Sequence, residues 1–201
     1  MPDRNYKKGS PHRDSRLFVI VAEGEREDEY FRYFHGQNQR IQIKIVPREG
    51  QASAPKLFLN RLTKYQEEGL WSPQDNDVLW FVLDVDTWER EHIQELIDAC
   101  ERDKQWFIAI SNPCFEVWLL YHLEDNLETI GDNLKHELHV RTQATGKGIP
   151  SNFCPKIAIG MANAKKNDTS PSHPFPNDKQ TKVYQLAEQL LEKLGKNWQK
   201  Y

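Results

Sequence analysis

The sequence predicts an α/β protein, a mainly parallel sheet flanked by helices, with a helical C-terminal extension. Three observations predict it. Two apolar runs, residues 17–22 and 78–83, show no polar alternation, which is the pattern of strands buried on both faces. The segments between and after them carry apolar residues at helical spacing. Strand-like and helix-like segments alternate with short connections as far as residue 110, the order of a parallel sheet whose crossovers are helices.

Residues 1–15 are rich in breakers and bases without periodicity and read as a flexible basic arm. Residues 16–124 read as the α/β core and residues 125–201 as a mostly helical extension packed on it. The first strand, 17–22, ends at Glu23-Gly24-Glu25, and Gly24 permits a tight turn there. A helix is expected over 25–35, with Tyr30, Phe31 and Phe34 on one face. Glu25, Glu27, Asp28 and Glu29 crowd its first turn, where the helix dipole favours acids. That accounts for the helical acids. It accounts least well for Glu23, which precedes the turn.

Residues 41–46 alternate with period two and read as a strand nearer an edge. A helix over 54–68 aligns Leu57, Phe58, Leu62 and Tyr65, and Gly69 closes it. A strand over 76–86 then ends in Asp84 and Asp86, one residue apart. A helix over 89–103 aligns Ile93, Leu96, Ile97 and Cys100, and a fourth strand spans 105–110. Ser111-Asn112-Pro113 is expected to cap and open a helix over 114–123, apolar almost all round and therefore buried. Glu116 is the lone acid in it. A carboxylate in such surroundings needs an arginine, helix N–H groups or a metal. Beyond it, helices are expected over 134–140, 155–166 and 181–194, the last with Val183, Leu186, Leu190, Leu191 and Leu194 on one face.

Composition narrows the function classes. A charged fraction of 28% and a net charge of −3 over 201 residues suit a globular protein without a global basic field. Cys100, Cys114 and Cys154 are far apart and lack paired spacing, so neither a disulfide scaffold nor a zinc cage is expected, and a reducing cytoplasm fits. No apolar run reaches membrane-spanning length, and the start of the chain does not read as a secretory signal. Thr145-Gly-Lys-Gly148 resembles a phosphate loop, but Arg141 stands where its first glycine belongs. His136 and His139 share a helix face without a completing ligand and read as surface residues. Trp71 and Trp88 look exposed, marking either an interface or packing in the core or a loop.

The chemistry concentrates at strand ends. In sheets of this kind ligands sit outside the carboxyl ends of the strands, and residues i and i+2 of a strand point the same way. Asp84 and Asp86 can thus converge on one hard divalent cation, with Glu23 at another strand tip. The plain alternative is a charged strand end wetting into a loop.

Phe18-Val-Ile-Val-Ala-Glu-Gly-Glu25, Tyr30-Phe31, Val82-Leu-Asp-Val-Asp86 and above all Ser111-Asn-Pro-Cys-Phe-Glu-Val-Trp-Leu-Leu120 resemble the RloB-like proteins. These are small Toprim-related proteins of bacterial abortive-infection and anti-phage loci. Thr181-Lys-Val-Tyr-Gln-Leu is a weaker match, and residues 125–175 match least. The resemblance implies a Toprim-like fold, with Glu23 as the Toprim glutamate, Asp84 and Asp86 as the Mg2+ (or Mn2+) pair, and Glu116 as a further acid of the site. Glu25 shares the Glu-Gly-Glu turn. Asp28 stands where a longer glutamate is expected, and Lys147 corresponds loosely to a lysine of the family's second half.

The function so implied is a magnesium-dependent nuclease of RNA or DNA acting in phage defence. Its catalytic groups would be Glu23, Glu116 and Lys147, and its partners nucleic acid as substrate, a defence-system protein and further copies of the chain. The competing reading is a non-catalytic metal- or nucleotide-binding sensor in such a system. A phosphoacceptor with acids at its strand tips is a third, and the Glu116 helix argues against it. Lys7, Lys8, Arg13, Arg16, Lys44, Arg48, Lys147, Lys156, Lys165 and Lys166 would bind phosphate only where folding gathers them.

Overall fold

The computed structural model describes residues 15–48, 55–85, 88, 90–143, 148–150, 152–195 and 198. Asp86, Lys147 and the expected arm as far as residue 14 lie outside the described residues. The elements in order are β1 (Arg16–Ala22), α1 (Glu25–Arg32), β2 (Ile41–Ile45), α2 (Pro55–Glu67), β3 (Val78–Asp84), α3 (Arg90–Arg102) and β4 (Trp106–Asn112). They continue with α4 (Glu116–Leu120), α5 (Leu134–Thr142), α6 (Ile157–Asn167), β5 (Gln180–Thr181) and α7 (Val183–Leu194).

The five strands lie in the order β2-β1-β3-β4-β5. The first four are parallel and β5 runs antiparallel to β4. The unbroken apolar run of β1 is explained by its two faces. Phe18, Ile20 and Ala22, with Trp80 and Val82 of β3, pack under α1, α4 and α7. Leu17, Val19 and Val21, with Leu79, Phe81 and Leu83 of β3, pack under Phe58 and Leu62 of α2 and Ile93, Leu96 and Ile97 of α3. The chain leaves β1 for β2 on one side and returns to β3 on the other. The carboxyl ends of β1 and β3 therefore flank the point where the winding reverses, where doubly wound sheets open a crevice for ligands.

Several boundaries depart from the sequence reading. β3 starts at Val78, because buried Asp77 accepts the Trp71 indole N–H at 3.0 Å and the Gln74 N–H at 3.2 Å and so belongs to the preceding turn. Trp71, which looked exposed, is buried. The expected helix over 114–123 is regular only from Glu116 to Leu120. Its N-cap is Phe115 without a side-chain cap, so Pro113 precedes the helix rather than opening it. Gln180 and Thr181 form a strand where a helix start was expected, pairing with Asn112 and Ser111. The Thr181 and Ser111 hydroxyls meet at 2.9 Å.

Two buried polar clusters hold the C-terminal part on the sheet. Lys182 Nζ donates to Asp168 Oδ1 and Oδ2 at 2.8 and 2.6 Å and to the Ser170 carbonyl at 2.6 Å. The Tyr184 hydroxyl also donates to Asp168 Oδ2, at 2.7 Å. His122 Nδ1 lies 2.9 Å from the Trp118 carbonyl, so it carries the proton, and Nε2 accepts from the Tyr30 hydroxyl at 2.9 Å. Burial pushes the His122 pKa down to about 4, keeping the ring neutral. Gly160 of α6 lies against this ring: a Cβ there would come within 2.6 Å of it. Among the described residues no helix is long and apolar enough to cross a membrane.

Candidate metal centre at the strand tips

Glu23 follows directly on β1, and its main-chain N–H donates to the Val82 carbonyl at 3.0 Å, fixing it beside β3. Its side chain spans to the same strand. Oε2 accepts the main-chain N–H of Asp84 at 3.1 Å, and Oε1 accepts the indole N–H of Trp88 at 3.0 Å. Asp84 ends β3 and stands opposite Ser111 of β4. The Val85 N–H donates to the Ser111 and Pro113 carbonyls at 3.0 and 3.2 Å, turning the chain away from the strand end. The structure thus brings together two of the expected metal ligands, Glu23 and Asp84, at the β1/β3 crevice.

The other expected acids are engaged differently. Glu116, buried at the start of α4, forms an ion pair with Arg26 of α1. Of the ways to satisfy this carboxylate, the arginine is the one found. Asp28 is buried and pairs with Arg48 Nη1 at 2.8 Å. Burial raises the Asp28 pKa to about 6, against the pull of Arg48, Arg61 and Arg32. Glu25 is exposed on the first turn of α1. Of the scattered bases, Arg48 is held by Asp28, Lys165 by Glu188 and Lys166 by Asp125. His136 and His139 are exposed, as expected.

Sequence reasoning missed three members of this region. Glu27 reads from the sequence as helix N-terminal charge, yet it is 4% exposed. Burial raises its pKa to about 7, and the charges of Glu23, Glu116 and Asp28 push in the same direction. Its carboxyl folds back over the turn: a Cβ at Gly24 would stand 2.3 Å from Glu27 Oε2. The spacing held a signal, since Glu27 lies three and four residues before Tyr30 and Phe31 on the buried stripe, and three after the N-cap. Arg61 of α2 is the second. It is buried and donates to the carbonyls of Ala22, Val46 and Pro47 at 2.9, 2.8 and 3.2 Å, joining the carboxyl ends of β1 and β2. Trp88, whose bond to Glu23 no sequence pattern signals, is the third.

The donor chemistry fits a hard divalent cation. Glu23 and Asp84 bring carboxylates to neighbouring strand tips, the oxygen-donor chemistry that such an ion takes. Among the described residues no group of three or more His, Cys, Asp or Glu stands ready to hold a metal. Cys114 is buried nearby, and burial with the Glu116 and Asp84 charges pushes its thiol pKa far up.

Fold and site define a doubly wound α/β protein that gathers carboxylates and arginines at the carboxyl ends of its parallel strands. The chain belongs to the RloB-like proteins: a model of that family matches residues 18–190, from β1 into α7. No curated protein and no solved structure matches the chain.

Proposed function

We propose that this chain is a divalent-metal-dependent nuclease with a Toprim-like site, cleaving RNA or DNA phosphodiesters in phage defence by abortive infection. The observation that carries the reading is the placement of the Glu23 carboxylate over Asp84 at the β1/β3 crevice, within a crowd of acids. Glu23 and Asp84, with Asp86 added by the sequence spacing, would hold Mg2+ or Mn2+. When bound, such an ion offsets phosphate charge and lowers the pKa of a bound water. In the hydrolysis, water adds to phosphorus and gives up a proton while the bond to the leaving oxygen breaks. Glu23 would take the water's proton if it faces the water instead of the ion, and Glu27, whose pKa lies at about 7, would supply the proton that the leaving oxygen needs. Glu116, expected among the catalytic groups, would act through Arg26, with which it pairs. Lys147 keeps the catalytic role that the family resemblance implies.

A second reading has its own support. The Glu23 carboxylate already accepts two hydrogen bonds and Glu116 an arginine, an arrangement that suits a non-catalytic metal- or nucleotide-binding subunit acting through a defence-system partner. One experiment separates the two. Calorimetric titration of Mg2+ and Mn2+ into wild type and Asp84→Asn/Asp86→Asn is paired with cleavage assays on total RNA, transfer RNA and plasmid. Binding and cleavage that are both lost in the double variant support the nuclease. Saturable binding with no turnover supports the sensor, and full cleavage by the double variant would sink the first reading.

A further inference from the structure

We propose that Trp88 is a positioning residue for the strand-tip cation site: its indole N–H holds the Glu23 carboxylate in the orientation that binds a divalent ion. The inference rests on the metal-site reading above and adds a residue that neither the sequence pattern nor the family resemblance assigns.

The geometry is a clasp. Trp88 Nε1 donates to Glu23 Oε1 at 3.0 Å, while the Asp84 main-chain N–H holds Oε2 at 3.1 Å. A carboxylate held at both oxygens is pinned in rotation about its terminal bond. The indole ring is itself anchored. It packs, partly buried, against the apolar cluster that includes Val21, Leu83 and Ile93, and its main-chain N–H reaches the Val85 carbonyl at 3.4 Å. One side chain therefore ties the turn after β3 to the tip of β1. Indole N–H is a donor only, so Trp88 cannot itself take up the cation. A donor behind a metal ligand raises affinity by fixing the ligand in place, and its removal typically weakens metal binding about 10- to 100-fold. Trp71 makes a bond of the same kind, to Asp77 at 3.0 Å, at the opposite end of β3. It is the internal control.

The test is calorimetric titration of Mg2+ and Mn2+ into the full chain as wild type, Trp88→Phe, Trp88→His and Trp71→Phe at pH 8, each checked for a cooperative melt. Trp88→Phe is expected to bind about 10- to 100-fold more weakly, Trp88→His to recover part of the loss through its ring N–H, and Trp71→Phe to match wild type. Mg2+ should also change tryptophan emission in wild type and not in Trp88→Phe. Unchanged or tighter binding by Trp88→Phe overturns the assignment. So does an equal loss in Trp71→Phe, or no gain in Trp88→His over Trp88→Phe. If wild type binds neither ion, the metal-site reading falls and this inference with it. If wild type binds and Trp88→Phe does not differ, this inference alone falls.

Discussion

The side chain of Glu23 accepts the main-chain N–H of Asp84, not its carboxylate, at 3.1 Å. The two acids at the strand tips therefore differ in what a neutral substitution does. Asp84→Asn leaves the bond intact and should change the melting temperature little. Glu23→Gln places an amide NH2 against either the Asp84 or the Trp88 N–H, setting donor against donor. A loss of roughly 1–2 kcal/mol of stability is expected, read by urea unfolding. If the strand tips bind Mg2+, saturating Mg2+ should raise the melting temperature of wild type, and both variants should lose that rise. A full Mg2+ shift in Asp84→Asn would remove Asp84 from the site.

Glu27 should imprint a pH dependence on stability. Its pKa is about 7 in the fold against 4.5 for the free side chain. Between those values the folded protein binds more protons than the unfolded chain, so stability falls as pH rises through the window. Glu27→Gln, a permanent mimic of the protonated form, should flatten the profile and exceed wild type above pH 7 by up to roughly 3 kcal/mol. Asp28, raised to about 6, acts with the same sign, so the slope left in Glu27→Gln reports its share. Unfolding in urea at pH 5, 6, 7 and 8 measures both.

Arg26→Ala should destabilise more than Glu116→Gln. The first leaves a buried carboxylate without its cation, whereas the second leaves a half-buried arginine that water can reach. About 2–3 kcal/mol is expected for Arg26→Ala, with the double variant recovering part of it. Equal effects of the two single variants would show that the ion pair is not what satisfies Glu116.

Lys182 and Asp168 are both deeply buried, and their pairing should dominate the stability of the C-terminal part. Lys182→Met should cost roughly 3–5 kcal/mol by leaving Asp168 charged and buried. Lys182→Met/Asp168→Asn should cost less than Lys182→Met alone. Thermal unfolding of the variants checks this.

The legible parts of the molecule are those fixed by periodicity. β1 and β3 are continuous apolar runs because both faces are covered, and Glu23 and Asp84 could be placed because strand ends are where such runs stop. β5 was illegible because two residues carry no period, and its partners, Ser111 and Asn112 of β4, lie about 70 positions earlier in the chain. The start of α4 was misplaced because Pro113 suits a helix opening in isolation, while here its carbonyl receives Val85 N–H from the end of β3. Nothing in the local sequence marks Arg26, Arg61 or Trp88, since Glu116, Ala22 and Glu23, which they meet, lie 90, 39 and 65 positions away. Only folding assigns such pairs.

The two faces of the sheet also become available at different moments of synthesis. The cluster beneath α2 and α3 has its buried members between Leu17 and Ile110, whereas the opposite cluster draws on residues as late as Leu191. A nascent chain can bury one face early and must then wait for the last helix, a delay on the order of 10 s at about 10 residues per second. During that interval Phe18, Ile20, Trp80 and Val82 lack the cover of α7, and the edge of β4 stands open until Gln180 and Thr181 arrive.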